Sequence, residues 1–345
     1  MSPIALRPPT VRTASPGHTR WARPAALAAL VVAVLALPQL GSGFVVSLGL
    51  SVLIYGLVAM SFDLLAGYTG LISLGHAAFF GVGAYGVAYG TGHGLEPAPS
   101  AVLALVAVSL TAAVFGLLAV RVRGLTFVIL TLALGQIVWG LAYRWVSVSG
   151  GDNGLPVVGR PTLGPIDLTD NVPYYYFVAA IVAICAALLW ALVRSPFGLT
   201  LRGVRDNEGR MRTLGYNVGL HKYLAFGISA FFAGVAGVLF GFFNLYVSPT
   251  MIDFNHNGTV VQMAVVGGLG TLWGPLLGAG VIVLFQQLLS IYVARWLTLL
   301  GILFVLIVLF ARTGLWGGLA GLLRWLGRRV RSAEPAMETV TRGTE

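Results

Sequence analysis

The chain has 345 residues, of which 57% are hydrophobic and only 9% charged, and its formal net charge is +10. Soluble domains are roughly 25% charged and about 45–50% apolar. This composition therefore excludes a disordered chain, a collagen-like chain and a soluble enzyme with an ordinary surface. The 46 glycines lie among long aliphatic runs rather than in a linker, so they belong inside packed elements. A polytopic helical membrane protein satisfies all of these observations.

The positive charge is not spread like a nucleic-acid footprint. Basic residues cluster between apolar runs and at the two ends, which is what the positive-inside rule produces. Membrane lipid is thus an expected partner and nucleic acid is not. The single cysteine, Cys185, excludes an internal disulfide framework and a cysteine metal cluster, and no metal site is expected.

Residues 1–21 contain Arg7, Arg12 and Arg20 and no acid, and read as a basic cytoplasmic arm. A secretory signal is the rival reading, but no small-x-small cleavage site follows Pro38. A helix needs about 20 apolar residues to cross ~30 Å of hydrocarbon. On that measure the spans fall at 22–40, 44–62, 71–89, 98–120, 125–146, 174–193, 223–247 and 297–311. The stretch 258–291 is too long for one straight span and is interrupted by Gly267-Gly268-Leu269-Gly270 and Pro275. It reads as a broken pair, which brings the expected count to ten, with eight or nine as alternatives.

An even count puts every basic segment on one cytoplasmic face: the arm, 121–123, 194–222 and the tail. The loop 147–173, with Asp152, Asp167 and Asp170 against one Arg160, then falls outside, and so does Arg295. The membrane domain spans 22–312, with a large inner loop at 195–222. The tail 313–345 begins amphipathic (Leu315, Trp316, Leu319) and turns basic, as an interfacial helix on anionic lipid does.

Three stretches carry information. The first runs from Ala66 to Gly86. Its glycines permit close backbone approach and an unwound entry into the membrane. Ser73 and His76 place polar groups at membrane depth, either as pathway groups or as hydrogen-bonding glue. Asp63, just before it, reads as an interfacial residue facing the cytoplasm.

The second stretch is the inner loop. Pro196 and Gly198 mark a helix start, Asp206 or Asn207 can cap the next short helix, and Gly215 can end it. Met211 and Leu214 are expected on one side of that helix, a small apolar knob suited to docking a partner. The third stretch, 258–279, contains a mid-membrane Gly/Pro break. Broken helices in the two halves of a chain point to a translocation path.

No phosphate-binding loop, H-E-x-x-H or G-x-S-x-G elbow is present. The chain is therefore not expected to be an enzyme or to hydrolyse ATP. Energy would come from a partner or from an ion gradient. Asp63 and Asp253 both fall near span ends, which counts against a self-contained ion-coupled transporter.

These stretches strongly resemble the inner-membrane permeases of branched-chain amino acid ABC importers, of the LivM type. The resemblance covers most of the chain, and five motifs appear in order. Ser73–Tyr85 reads S-L-G-H-A-x-F-F-G-x-G-A-Y, and Gly150-Gly151-Asp152-Asn153-Gly154-Leu155 reads G-G-x-x-G-L. An F-G-x-x-L-R-x-x-R-D-N-E run ends at Glu208 and is followed by Gly215-Tyr216-Asn217. An A-G-x-A-G run ends at Gly237, and a G-G-x-G-T-x-x-G-P-x-x-G-A run starts at Gly267.

The resemblance implies a role for each motif. Arg202, Arg205, Asp206, Asn207, Glu208 and Gly215 would form the coupling helix that docks on one of two cytoplasmic ATPase subunits. Ser73, Gly75, His76, Gln262, Gly267 and Gly268 would line the path, formed with a second permease subunit. Gly151, Asp152 and Asn153 would meet an extracytoplasmic substrate-binding protein. The chain itself would bind no cofactor, since ATP is used by the partner. Arg210, Met211 and Arg212 depart from the small residues usual in the coupling helix. Asn257-Gly258 stands where a serine is expected. Relatives with similar motifs carry urea or short amides, so the substrate stays open between these solutes and branched-chain amino acids.

Overall fold

A computed structural model of the chain describes residues 37–39, 42–163, 166–293, 295–310 and 314–318. The arm at 1–21, nearly all of the expected span at 22–40 and the tail beyond 318 lie outside these residues. The first half comprises α1 (Gly43–Asp63), α2 (His76–Gly92), α3 (Pro97–Ala119), α4 (Leu125–Arg144) and α5 (Asn171–Arg194). The basic loop then holds α6 (Pro196–Asp206) and α7 (Glu208–Thr213). The second half holds α8 (Val218–Asn244), α9 (Phe254–Gly267), α10 (Trp273–Tyr292) and α11 (Trp296–Phe310). Four two-residue strands, β1 (Leu155–Pro156), β2 (Thr162–Leu163), β3 (Ile166–Asp167) and β4 (Tyr246–Val247), form two small antiparallel pairs, β1 with β4 and β2 with β3.

The molecule is a multi-pass helical membrane protein. Among the described residues six helical segments are long and apolar enough to cross a membrane: α1 with its extension to Tyr68, α3, α4, α5, α8 and α10. The expected count of ten treated 71–89 as a full span. The helix there is His76–Gly92, which at ~1.5 Å per residue covers only about 25 Å. Residues 69–75 enter without regular structure, and Gly70 has φ +76°. The break in 258–291 falls at its glycines and divides α9 from α10.

α1 and α8 are the buried centre. α8 packs on α1, α2 and α3, while α1 packs on α5, α9 and α10. What sorts the faces is side-chain size, because both faces are apolar. On α3, Ser100, Ala104, Val108 and Ala112 are buried at four-residue spacing. Val102, Val106, Leu110 and Val114 are exposed at the same spacing. Lipid tails offer no hydrophobic drive for helix association, so small residues that admit a neighbouring backbone mark the packed side. A Cβ on Gly83 would stand 2.4 Å from the Gly234 carbonyl oxygen, and one on Gly237 would stand 1.9 Å from that of Phe80. The α2–α8 contact is therefore backbone against backbone.

Candidate coupling and translocation site

The basic loop is organised by its caps. The Ser195 hydroxyl accepts from the Gly198 N–H at 3.4 Å and starts α6, with Pro196 in the first turn. The Asn207 side chain accepts from the Arg210 N–H at 2.9 Å and starts α7. Gly215, at φ +87°, ends it. Its N–H reaches the Arg212 carbonyl and the Tyr216 N–H reaches the Met211 carbonyl, which is a Schellman closure.

Met211 turns inward with Val204 and Val218. The expectation that Leu214 shares that side is corrected. Leu214 is the C-cap residue, past the last helical turn, and is 65% exposed. With Leu199, Tyr216 and Leu220 it leaves large apolar side chains uncovered on the basic face.

Glu208 fastens α7 to the body. Its carboxylate meets Lys222 of α8 at 2.9 Å, Arg212 at 2.9 Å and Arg123 of the α3–α4 connection at 3.2 Å. Partial burial on its own pushes the carboxyl upward. The Lys222 hydrogen bond and charge, together with Arg123 and Arg212, outweigh that and hold it below the ordinary carboxylate value. Glu208 thus points into the protein, and the exposed residues of α7 are Gly209, Arg210, Arg212 and Thr213. Asp206, at the end of α6, is exposed.

α6 reaches the turn that ends α1 through its arginines. The Arg202 guanidinium lies 5.0 Å from the centroid of the Tyr68 ring. Arg205 Nη1 donates to the Gly67 carbonyl. Gly67 belongs to a five-residue π-helical turn, Leu64–Tyr68, that continues α1. Such turns widen a helix and free its carbonyls.

Beside that turn, Asp63 accepts from the Gly270 N–H at 2.6 Å and the Leu272 N–H at 3.0 Å. The expectation of an interfacial Asp63 is corrected: it is fully buried. It satisfies two backbone donors of the α9–α10 break, which would otherwise be orphaned at depth. A Cβ on Gly67 would stand 2.1 Å from the Asp63 Oδ1 and 2.4 Å from the Gly270 nitrogen. Only glycine fits there. Arg205, Gly67, Asp63 and Gly270 form one node.

The expected path residues fall into two groups. Ser73, Gly75 and His76 lie together at the start of α2. The Leu74 N–H bonds the Thr131 hydroxyl of α4 at 3.1 Å, and a Cβ on Gly75 would stand 2.7 Å from the Thr131 carbonyl oxygen. His76 Nε2 lies 2.7 Å from the Ser229 hydroxyl, which itself donates to the Ser61 carbonyl. The hydroxyl has one proton, so the imidazole is the donor in the first contact. His76 thereby joins α1, α2 and α8. Gly267 and Gly268 sit at the break, where Gly314 closes over them. Gln262 is half-buried on α9. Asn257 joins the two broken elements: its side-chain oxygen accepts from the Ala77 N–H at 2.9 Å, at the start of α2.

Neither group lines the cavity of about 280 Å³ among α1, α8, α9 and α10. Its wall includes Ser51, Tyr55, His256, Thr259, Gln286 and Gln287. Sequence reading did not select these residues. The available signal was glutamines and a histidine inside apolar runs.

At the opposite face Gly151 is buried while Asp152 and Asn153 are exposed. Gly150, Gly151 and Gly154 all have positive φ. β1 pairs with β4, Leu155 opposite Val247, and the Tyr246 hydroxyl donates to the Asn153 carbonyl at 2.5 Å. Arg160 donates to the Phe242 and Phe243 carbonyls at the end of α8, at 3.1 and 3.2 Å, and pins the loop there. Among the described residues no group of three or more His, Cys, Asp or Glu is placed to hold a metal ion.

Broken helices held to a docked, arginine-rich loop define a class, the helical membrane permease. The chain belongs to the family described as branched-chain amino acid transport system / permease component, which matches residues 44–311. It is similar to the high-affinity branched-chain amino acid transport system permease protein LivM of Escherichia coli K12. They are 29% identical over 317 residues, which is 84% of this chain and 74% of that protein. It is also similar to the guanosine ABC transporter permease protein NupQ of Bacillus subtilis 168, at 32% identity over 38% of this chain and 40% of that protein. The tyrosine transport system permease protein of Clostridioides difficile R20291 is 28% identical over 46% of this chain and 50% of that protein. No solved structure matches the chain.

Proposed function

We propose that this chain is a permease subunit of a bacterial inner-membrane ABC importer for branched-chain amino acids, coupled to separate ATPase subunits. In this reading it pairs with a second permease and two ATPases, and both termini are cytoplasmic. Extracytoplasmic binding protein docks at Gly151, Asp152 and Asn153. The exposed side chains of Leu199, Leu214, Tyr216 and Leu220 form the ATPase footing, with Arg210 and Arg212 beside them.

The observation that carries this reading is the node of Arg205, Gly67, Asp63 and Gly270. A displacement of α6–α7 by the ATPase acts through Arg205 on the turn that ends α1. Through Asp63 it acts on the break between α9 and α10. Glu208 keeps α7 and α8 moving as one piece.

The test is uptake by proteoliposomes containing this chain, its partner permease, the ATPases and the binding protein. The expected result is leucine uptake that requires both ATP and the binding protein, and that is lost when 205–215 is deleted from a chain that still inserts. Uptake driven by an ion gradient without the ATPases would overturn the class. ATP-dependent uptake of urea or a nucleoside in place of leucine would overturn the substrate.

A further inference from the structure

Three arginines of the basic face stand outside the Glu208 clamp. Arg194 is the last residue of α5, and Arg202 and Arg205 lie one turn apart on α6. All three are exposed. Among the described residues every ion pair converges on Glu208, from Arg123, Arg212 and Lys222, so none of the three has a carboxylate at ion-pair distance. Two acids are close, and neither balances them. The charge of Asp63 acts on Arg205, but both of its oxygens are committed to the Gly270 and Leu272 N–H groups. Asp206, exposed at the end of α6, makes no ion pair among the described residues.

The three arginines gather at one depth. Tyr68 and Arg194 are each the last residue of a membrane-length segment. The end of α5, the turn Leu64–Tyr68 and α6 pack against one another there. Such span ends lie where acyl chains give way to headgroups. The approach from the membrane is apolar: Ile184 and Leu188 are exposed along α5 and lead to Trp190, itself partly exposed. Tryptophan is enriched at this level.

Aromatic rings hold two of the guanidinium groups. The Arg194 guanidinium carbon stands 3.9 Å from the centroid of the Trp190 ring, and that of Arg202 stands 5.0 Å from the centroid of Tyr68. The charges of Arg202 and Arg194 both act on Tyr68. Arg205 gives one of its five N–H groups to the Gly67 carbonyl. A planar fork already held in place loses less freedom when it closes on a phosphate. Three fixed cations also repel one another, and an anion among them relieves that repulsion.

We propose that Arg194, Arg202 and Arg205 bind the headgroup phosphate of an anionic phospholipid, whose acyl chain lies along Ile184 and Leu188. A zwitterionic lipid carries its own cation beside the phosphate and gains less from the cluster. The site is separate from the ATPase footing and holds whichever solute is carried. Because Arg205 also holds Gly67, an occupied site steadies the turn that ends α1.

The test titrates dioleoylphosphatidylglycerol into the full-length chain in detergent and counts bound lipid by native mass spectrometry. The first molecule should bind at least tenfold more tightly than dioleoylphosphatidylcholine. Arg194→Gln with Arg202→Gln should bring the two lipids within threefold. Arg121→Gln with Arg210→Gln removes the same charge elsewhere on the basic face and should keep the tenfold preference. Arg194→Lys with Arg202→Lys keeps the charge but not the fork; its preference should fall between, and it replaces the first pair if that pair does not insert. Glycerol phosphate at millimolar concentration should not displace the lipid. In nanodiscs the amides of 64–70 should exchange at least fivefold more slowly in phosphatidylglycerol than in phosphatidylcholine. Equal affinity for the two lipids in the wild type would overturn the proposal, as would an equal loss of preference in both Gln pairs, which is the signature of diffuse surface charge. Displacement by glycerol phosphate would assign the cluster to a soluble phosphate instead, and exchange at 64–70 indifferent to the lipid would overturn the link to the turn.

Discussion

Asp63→Ala removes the shared acceptor of the Gly270 and Leu272 N–H groups. A hydrogen bond to a charged group contributes about 1.5–3 kcal/mol, and two such bonds set the loss at about 3–6 kcal/mol for the held turn. Asp63→Asn keeps one acceptor oxygen and should lose about half of that. Since about 1.4 kcal/mol is a factor of ten, the Ala variant should open the turn at least a hundredfold more often. Hydrogen–deuterium exchange on the complex in nanodiscs reads this directly. Amides of 268–272 should lose two or more orders of magnitude of protection in Asp63→Ala and roughly one in Asp63→Asn, with α5 unchanged. The number of leucines imported per ATP should fall in the same order. Unchanged exchange across 268–272 in Asp63→Ala would refute the view that this carboxylate holds the break.

Gly237→Ala places a Cβ 1.9 Å from the Phe80 carbonyl oxygen and forces α2 and α8 apart, whereas a Cβ at Gly227 on the same helix meets nothing within 4 Å. Thermal unfolding in detergent should show a loss of about 1–3 kcal/mol for the first and a gain of up to about 1 kcal/mol for the second. The Glu208 clamp has a defined sign. Its folded-state carboxyl titrates below the ordinary value of 4.5, so its contribution is complete above that value and is lost as pH falls through the lower, folded one. Exchange protection of α7 should therefore hold at pH 5 and fail in stronger acid, and Glu208→Gln should show weak protection at both. Gly215→Ala meets open space, so its cost is the left-handed backbone alone, about 1–2 kcal/mol. Binding-protein-stimulated ATP hydrolysis should drop for this variant and recover partly in Gly215→Asn.

Long apolar runs made α1, α3, α4, α5 and α8 legible to within a few residues, because about 20 apolar residues in a row have few other uses. The glycine clusters correctly marked where helices break, and the caps at Asn207 and Gly215 were readable from local chemistry. Asp63 was misread because its partners are the backbone amides of Gly270 and Leu272, which have no signature in sequence. The cavity was missed for a related reason. Tyr55, His256 and Gln287 are each unremarkable in their own helix and converge only once four helices pack. Asn257, a departure from the expected serine, tethers the start of α2, a role set by its reach to the Ala77 N–H.

α9 is gripped at both ends. Upstream, β4 is sewn to the acidic loop and Asn257 is bonded to α2. Downstream, the break is held by Asp63 beside Arg205. A rod of 14 residues, about 21 Å long, so tethered carries a shift of the acidic loop to the α9–α10 break. Thermodynamic reciprocity then applies. If a partner on the acidic loop changes the affinity of the partner on the basic face by some factor, the second must change the affinity of the first by the same factor. On the importer reading proposed above, whatever factor loaded binding protein imposes on the hold of the ATPases, binding of the ATPases should impose on the hold of the binding protein.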